Sequence, residues 1–306
     1  MSRIDLDQFG KVAVLMGGIS AEREVSLTSG AAVLKALVSA GVDAHAIDAN
    51  PQNINQLNAQ SYDRAFIVLH GRWGEDGIVQ GALQAIEMPY TGSGVLGSAL
   101  AMDKIRSKQI WQTLGLPTAH YRVLKSREDL DSLIEELGLP LFLKPAREGS
   151  SVGIGKVNSA DELMSVWQEA AKSGDDVLAE QFNAGAELTV AILNGQSLPI
   201  VRMETDNDFY DYEAKYESNS TRYFCPANLD QALENEIQML AMDAFNALGC
   251  EGWGRVDVML DAQDKPMLLE VNTVPGMTDH SLVPMAAAAT GLGFEQLVVK
   301  ILEATL

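Results

Sequence analysis

Two short runs of alternating polar residues near the C-terminal end of the chain have the residue types of a metal site. Arg255 and Asp257 are two positions apart, as are Glu270 and Asn272, and residues two apart in a strand face the same side. A hairpin that turns at residues 263–264 places Asp257 opposite Glu270, and the same register places Arg255 opposite Asn272. Carboxylate and amide oxygens suit Mg²⁺. A half-exposed hairpin shows the same alternation, but facing Asp and Glu side chains repel by up to about 1 kcal/mol unless a cation lies between them.

A lysine followed by a glycine- and serine-rich loop predicts a polyphosphate site. Lys144 lies in an apolar strand, and the loop after it contains Gly149, Ser150, Ser151 and Gly153. Glycines let successive backbone N–H groups turn toward one anion, and hydroxyl groups add further donors. The segment is not a Walker A motif, because GxxxxGK[ST] is absent. A plain hairpin turn is the alternative that these residues leave open.

Three further segments carry polar groups in positions that suit ligand binding. Glu180 and Glu187 flank a short loop between two apolar strands, where they are either acceptors for a purine and a ribose or exposed loop acids. The long aromatic-rich segment 206–227 is typical of a lid, and equally of an irregular structural loop. Ser281 and its neighbouring N–H groups suit a carboxylate, although a lone serine at such a place is more often a helix cap.

The N-terminal third has the pattern of a parallel α/β unit that would position some of these groups. Residues 11–16 and 65–69 are short apolar runs that indicate buried strands, and apolar side chains recur at helical spacing over 27–38. Strand, helix and strand at this spacing predict a parallel sheet. Ligands bind beyond the carboxyl ends of such strands, and Glu22 and His70 lie in or just after the loops there.

Changes in residue composition along the chain divide it into predicted domains. The small-residue segment 91–98 indicates a domain boundary near residue 100, and a second, less distinct boundary is predicted near residue 187. We predict a substrate-binding α/β domain over 1–100 and a central lobe over 101–187. A C-terminal lobe over 188–306 would carry the metal site and a lid loop at 205–227.

Composition restricts the classes of partner. The chain has 306 residues and a formal net charge of −20, which argues against a nucleic-acid or anionic-membrane binder. No apolar run approaches the roughly 20 residues of a membrane span, and residues 1–9 are too polar for a signal peptide. Cys225 and Cys250 without a secretory signal indicate reduced thiols, so we expect a cytoplasmic protein. The cations that fall in or near the candidate segments are Lys104, Lys144, Arg147, Lys215 and Arg255.

Motifs along nearly the whole chain match one known family. In chain order they are GGISAEREVSL (17–27), LHGRWGEDGIVQG (69–81), PYTGSG (89–94), MDKIRSK (102–108), KPAREGSSVG (144–153), YDYEAKY (210–216), GWGRVDVML (252–260) and EVNTVPGMTDHSLVP (270–284). With these motifs the chain resembles the D-alanine–D-alanine ligases of the ATP-grasp superfamily. The resemblance implies an N-terminal parallel, Rossmann-like α/β domain followed by a two-lobed ATP-grasp fold. It also implies ATP-dependent ligation of two D-alanine molecules through an acyl phosphate, for peptidoglycan precursors and hence cell wall and cell shape.

The resemblance assigns roles at a nucleotide site. ATP would be bound by Lys104, Lys144, Ser151, Glu180, Phe182, Glu187 and Lys215, with the loop 149–153 closing over the phosphates. Glu180 would accept a hydrogen bond from the adenine amino group, and Glu187 would contact the ribose. Two Mg²⁺ ions, replaceable by Mn²⁺, would be held by Asp257, Glu270 and Asn272, with Glu270 bridging them.

The resemblance also implies a subsite for the first D-alanine. Glu22 would bind its ammonium group, and His70 would lie beside it. Glu22, Ser150 and Tyr216 would form a hydrogen-bonded triad that positions this substrate and the loop that carries Tyr216.

The second half of the reaction is implied to use a different set of residues. Arg255 and the Gly276 N–H would form an oxyanion hole. Ser281 and the Leu282 N–H would bind the carboxylate of the second D-alanine, and Lys215 would bridge toward the transferred phosphate. The residues implied for catalysis are therefore Glu22, Ser150, Tyr216, Arg255 and Ser281. A homodimer formed through the N-terminal domain is a further implication.

Two alternatives remain within the superfamily: a D-alanyl-D-lactate (depsipeptide) ligase, and a carboxylate–amine ligase with other substrates. A non-catalytic binding protein on the same fold is a third, but it would lack a metal ligand or Arg255. The chain departs from the family pattern at Asn183, where an apolar residue usually lines the adenine pocket. That departure bears on nucleotide affinity. In the family, Tyr at position 216 accompanies dipeptide synthesis, whereas Phe accompanies ester synthesis.

The Tyr216 hydroxyl gives a prediction about product choice. The variant Tyr216→Phe is expected to use D-lactate more, relative to D-alanine, than the wild type does. Both proteins would be supplied with both acceptors at neutral pH, and ester and dipeptide would be quantified by mass. An unchanged product ratio would count against the role given to the hydroxyl.

Overall fold

The computed structural model describes residues 5–57, 61–149, 153–204, 221–278 and 280–306. The strands are β1 (Val12–Gly17), β2 (Ala44–Ala49), β3 (Arg64–Ile67), β4 (Tyr121–Leu124), β5 (Leu141–Pro145), β6 (Gly155–Val157), β7 (Val177–Gln181), β8 (Glu187–Leu193), β9 (Gln196–Ser197), β10 (Val201–Glu204), β11 (Arg222–Phe224), β12 (Trp253–Leu260) and β13 (Pro266–Asn272). The helices are α1 (Arg23–Ala40), α2 (Ile78–Ala85), α3 (Val95–Met102), α4 (Lys104–Thr113), α5 (Leu133–Leu137), α6 (Leu163–Ala170), α7 (Gln231–Ala247), α8 (Leu282–Ala289) and α9 (Phe294–Glu303). Short 3-10 turns lie between several of them.

The N-terminal sheet is parallel, with strand order β2-β1-β3. Every residue of β1 is buried, as expected for an apolar strand that is covered on both faces. Helix α1 connects β1 to β2 and ends at Gly41, whose φ of 98° gives the left-handed C-cap conformation. Val12 pairs with Ala44 on one side and with Arg64 on the other. The predicted parallel sheet is confirmed, because both predicted strands, β1 and β3, pair in parallel. The strand that directly follows α1 is β2, which was not predicted.

The second sheet is antiparallel, with strand order β4-β7-β5-β6. Phe142 of β5 pairs with Glu180 of β7, and Lys144 pairs with Leu178. Because side chains two apart on a strand share a face, Lys144 and Glu180 are diagonal neighbours on one face of this sheet. A cluster of apolar side chains that includes Leu133 packs beneath it.

The third sheet has the order β11-β10-β8-β12-β13, with β9 also pairing with β8. In the β12–β13 hairpin Asp257 pairs with Glu270 and Arg255 pairs with Asn272. The predicted register is therefore confirmed. The register shifts between Asp257 and Val258, so the irregularity lies just beyond the polar positions.

Two successive helices, α3 and α4, lie before Gly115. Asp103 separates them with an extended backbone, at φ −93° and ψ 96°. Its side chain accepts a hydrogen bond from the backbone N–H of Arg106 at 3.0 Å, which is the geometry of an N-cap. The break places Lys104 at the first position of α4 and Lys108 one turn further along the same face.

The C-terminal helices α8 and α9 belong to the hydrophobic cluster that surrounds the parallel sheet. Leu37 of α1 and Val298 and Leu302 of α9 are buried together in this cluster. No single helix in the described ranges is long and apolar enough to cross a membrane, although α8 and α9 together satisfy length and composition, with a bend of 103° between them.

Arg64 connects the two ends of the described chain and gives a stability prediction. Its buried guanidinium donates to the carbonyl oxygens of Phe9 (2.6 Å), Gln8 (3.0 Å) and Thr305 (2.9 Å), and to the Thr305 hydroxyl (2.7 Å). Arg64→Met keeps a long side chain but leaves these acceptors without their donor. We expect the free energy of unfolding to fall by about 2–4 kcal/mol.

Denaturant unfolding measures this change, with Arg106→Met as the control. Arg106 is exposed, so its replacement should change the free energy of unfolding by less than about 0.5 kcal/mol. Equal losses for the two variants would contradict the role given to Arg64.

Candidate active site

A cleft of about 860 Å³, open solvent included, is lined by residues of the two antiparallel sheets. Its polar lining contains many of the predicted nucleotide and metal residues: Lys104, Lys144, Glu180, Glu187, Arg255, Asp257 and Glu270. Its apolar lining, which the sequence did not single out, includes Ala119, Phe142, Ile154, Met203, Met259 and Leu269. An apolar slot with a few convergent polar groups is typical of a small-molecule site and suits a flat base carrying a polyphosphate.

Glu180 lies at the end of this cleft between two lysines. Its side chain is buried, its Oε1 atom is 2.5 Å from Lys108 Nζ, and its Oε2 atom pairs with Lys144. Burial alone would raise the pKa of Glu180, but the charges of Lys108 and Lys144 outweigh burial and hold the pKa below its ordinary value. Glu180 is therefore an ionised acceptor at neutral pH.

The segment that follows β7, beginning at Phe182, extends the side of the cleft on which Glu180 lies. Phe182 packs on Phe142, with ring centroids 5.7 Å apart, and the Lys156 ammonium lies 4.5 Å from the Phe182 ring centroid. Asn183 and Glu187 line the cleft directly. Phe182 does not itself line the cleft, but its ring contacts that of Phe142, which does.

Asp257 is held by three neighbours on the β8–β12–β13 face. Arg255 donates to both carboxylate oxygens, from Nε and Nη2, at 2.8 Å each. The Thr189 hydroxyl donates to Oδ1 at 2.6 Å, and the Asn272 amide donates to Oδ2 at 3.0 Å. Thr189 is a partner that the sequence did not indicate, because it comes from β8, which pairs with β12 at this position.

Glu270 shares this face with Asp257. Its Oε2 atom lies 3.4 Å from Lys104 Nζ, and the same ammonium donates to the Glu148 carbonyl at 2.6 Å. In the described ranges no three His, Cys, Asp or Glu side chains group as a metal site. The side-chain amide of Asn272, which lies beside Asp257, offers a third oxygen. Two carboxylates and one amide remain a donor set that fits Mg²⁺.

Glu22 lies at the junction of two glycine-containing loops. A Cβ atom added at Gly71 would be 2.6 Å from Glu22 Oε2, and one added at Gly149 would be 2.7 Å from it. Both positions therefore need glycine to admit the carboxylate. Glu22 itself occupies the N-cap position of α1 without a capping hydrogen bond from its side chain.

Buried His70 and half-buried Glu75 lie in the loop after β3, near Glu22. Burial lowers the pKa of His70 to about 4, with a further contribution from Arg255 and an opposing one from a hydrogen bond to the Val274 backbone. The imidazole is therefore neutral at neutral pH, and its Nε2 atom makes no hydrogen bond to a described residue.

Glu75 is a site residue that sequence reasoning missed. Burial and the nearby Glu22 raise its pKa to about 8. It accepts hydrogen bonds from the backbone N–H groups of Gly71 (2.6 Å) and Val274 (3.3 Å), and thereby joins the loop after β3 to the loop after β13. The available signal was its place in LHGRWGEDG, five residues after His70.

The residues predicted for the second substrate lie at the start of α8. A Cβ atom at Gly276 would be 3.0 Å from Ser281 Oγ, so these two residues adjoin. Ser281 holds the N-cap position of α8 but makes no capping hydrogen bond with its side chain. Its Oγ atom instead contacts the backbone N–H and the hydroxyl of Thr278, both at 2.9 Å. Leu282 lines the cleft.

Four predicted site residues lie outside the described residues: Ser150, Ser151, Lys215 and Tyr216. Of the predicted lid loop 205–227, the structure describes 221–227. Arg147 pairs with Asp175 at 2.9 Å instead of lining the cleft.

The depressed pKa of His70 predicts a pH dependence of stability. The folded protein has a His70 pKa of about 4, whereas an unfolded chain has about 6.5. The unfolded state therefore binds more protons between these values, and stability is lost as the pH falls from 6.5 toward 4, by up to about 3 kcal/mol. His70→Gln should remove this part of the acid destabilisation.

Unfolding free energies at pH 4.5 and 7.5 check the prediction. The control is His120→Gln, which changes an exposed histidine and should retain the wild-type loss on acidification. If His70→Gln loses as much stability as the wild type, the burial argument is wrong.

Comparisons with known proteins cover nearly the whole chain. Residues 42–93 match the family described as D-ala D-ala ligase N-terminus, and residues 110–303 match the one described as D-ala D-ala ligase C-terminus. A D-alanine--D-alanine ligase of Pseudomonas putida (strain GB-1) is 58% identical over 301 residues, which is 98% of this chain and 95% of the relative.

Two solved structures are similar in fold over the same extent. The D-alanine--D-alanine ligase from Bacillus anthracis complexed with ATP has a TM-score of 0.84 and 32% identity, covering 96% of this chain and 97% of its own. The VanG D-Ala:D-Ser ligase from Enterococcus faecalis has a TM-score of 0.83 and 30% identity, covering 97% of this chain and 99% of its own.

Proposed function

Since the chain belongs to the D-alanine–D-alanine ligase family, we propose that it joins two D-alanine molecules with ATP at the cleft described above. The first carboxylate takes the γ-phosphoryl group and ADP is released, and the amine of the second D-alanine then displaces phosphate to form the dipeptide. The product serves peptidoglycan synthesis. The similarity to the solved ligases also confirms the predicted fold class, a parallel α/β domain followed by an ATP-grasp fold.

The cleft carries the proposal, because its lining combines groups that suit a base, phosphates and metal ions. Glu180 offers an ionised acceptor for an amino group of the base, and Lys104 and Lys144 offer positive charge to the phosphates. Asp257, Glu270 and Asn272 would hold two Mg²⁺ ions. When bound, these ions offset the repulsion between a carboxylate and a polyphosphate.

The residues around Glu22 support binding of the first D-alanine. The Glu22 carboxylate is placed between Gly71 and Gly149, where it suits an ammonium group. His70 is neutral at neutral pH and adds no positive charge that would repel that ammonium. Arg255, whose side chain is 16% exposed, suits the oxyanion of the second step, and loss of such a donor typically lowers the rate by about 10²–10³-fold.

The start of α8 supports binding of the second amino acid through its carboxylate. Ser281 Oγ is not used as a helix cap, and Gly276 and Leu282 adjoin it or line the same cleft. D-Alanine is favoured as the second substrate because the relatives with 54–58% identity are named D-alanine--D-alanine ligases. We also propose that the chain acts as a cytoplasmic homodimer, as the resemblance implies.

Phosphate release from Mg-ATP tests the reaction and the substrate together. We expect release that requires D-alanine, is not supported by L-alanine, and yields D-alanyl-D-alanine identified by mass. Release without dipeptide, or equal release with both isomers, would contradict the proposal.

Glu270→Gln tests the metal assignment, because it keeps the side-chain size but removes the charge. Turnover is expected to fall by roughly 100-fold or more, with an unchanged circular dichroism spectrum and unfolding temperature. Glu251→Gln is the control, since Glu251 is exposed and should turn over as the wild type does. Normal activity of Glu270→Gln would show that this carboxylate does not hold the metal.

A further inference from the structure

Lys108 is a buried lysine that the proposed reaction does not use directly. Its side chain is fully buried on α4, one turn after Lys104. Its Nζ atom is 2.5 Å from Glu180 Oε1, donates to the Thr118 hydroxyl at 2.5 Å and contacts the Leu268 carbonyl at 3.4 Å. Lysine is rarely buried completely unless a partner compensates its charge. The charged partner of Lys108 is Glu180, so we expect Lys108 to act through Glu180.

The two carboxylate oxygens of Glu180 contact two different lysines, and only one of these lysines lines the cleft. Lys144, at Oε2, lines the cleft, whereas Lys108, at Oε1, lies behind it. A cation in the cleft wall can contact a bound nucleotide, and when it does so its hold on Glu180 weakens. Lys108 is fully buried and does not line the cleft, so nucleotide binding would leave its contact with Glu180 in place.

The Glu180–Lys108 contact leaves acceptor capacity on the carboxylate. The contact joins Lys108 Nζ to Oε1 alone, and each carboxylate oxygen has two lone pairs. Glu180 lines the cleft, so it can still accept from a donor there.

We propose that Lys108 is a positioning residue for recognition of the adenine base: it keeps the Glu180 carboxylate ionised and in place while Lys144 turns to the nucleotide. An ionised carboxylate accepts a hydrogen bond from the 6-amino group of adenine. It cannot donate to the 6-oxo group of hypoxanthine, so it rejects that base. The inference rests on the proposed function only in taking ATP as the nucleotide.

Removal of Lys108 has a consequence that a merely structural ion pair would not have. With Lys144 as the only remaining cation, buried Glu180 would be protonated more readily, because burial opposes its charge. A protonated carboxyl group donates to an oxo group. Selectivity between the two bases would therefore fall, in addition to any change in stability.

Calorimetric titration with Mg-ATP and with Mg-ITP (inosine triphosphate), without amino acid, measures this selectivity. Lys108→Met keeps the length of the side chain and removes its charge. We expect the ATP affinity to fall about tenfold and the ratio of ATP to ITP affinity to fall by at least that factor. At saturating ATP the turnover number should stay within roughly threefold of the wild type, because Lys108 does not touch the reacting groups.

Arg64→Met is the matched control, since it also replaces a buried cation with methionine but far from the cleft. It should keep the wild-type ratio of affinities. If Lys108→Met keeps that ratio as well, the inference is overturned and the pair is only structural.

A double-mutant cycle tests whether Lys108 acts through Glu180. In the Glu180→Gln background, Lys108→Met should cause no further change in the ratio of ATP to ITP affinity, and a further change of the full size would overturn the inference.

If Lys108→Met does not fold, Thr118→Val provides the test. Loss of the hydroxyl that contacts Lys108 should lower the ratio of ATP to ITP affinity by roughly threefold, and an unchanged ratio would overturn the inference. These binding ratios are independent of D-alanine, whereas D-alanine-dependent phosphate release tests the proposed function.

Discussion

The antiparallel pairing of β12 with β13 places Asp257 opposite Glu270, and most of the active site depends on this register. Because side chains alternate along a strand, a slip of one residue between β12 and β13 would put the two carboxylates on opposite faces of the sheet. The pairing of β12 with β8 secures the register from the other side, and it brings the Thr189 hydroxyl to 2.6 Å from Asp257. Backbone hydrogen bonds thus determine where the charges of the site lie.

Charge pairing is the second constraint, since the chain carries a net charge of −20 and the cleft must accept a polyanion. Three carboxylates of the cleft have cations beside them: Arg255 lies beside Asp257, Lys104 beside Glu270, and Lys108 and Lys144 beside Glu180. Buried charges are tolerated only when they are paired in this way. The paired cations also provide the local positive charge that a triphosphate needs.

The parts of the structure that were predictable from the sequence are those set by local pattern. The β12–β13 register followed from a symmetric turn, and the parallel sheet followed from strand and helix periodicity. Lys108 was not predictable, because a lysine in a helix normally indicates a solvated face, and its partner Glu180 lies 72 positions further along the chain. Glu75 was missed for a related reason: its raised pKa arises from burial and from Glu22, which only the folded chain brings near. The break at Asp103 was missed because its capping role depends on backbone geometry.

The most direct test of this account is the number of Mn²⁺ ions bound in the presence of a non-hydrolysable ATP analogue, measured by electron paramagnetic resonance. The central claim is that the β12–β13 hairpin positions Asp257, Glu270 and Asn272 as ligands for metal ions. We expect two ions per chain for the wild type, and fewer for Asp257→Asn and Glu270→Gln with the fold unchanged. Two ions retained in both folded variants would contradict the claim, because the metals would then be held elsewhere.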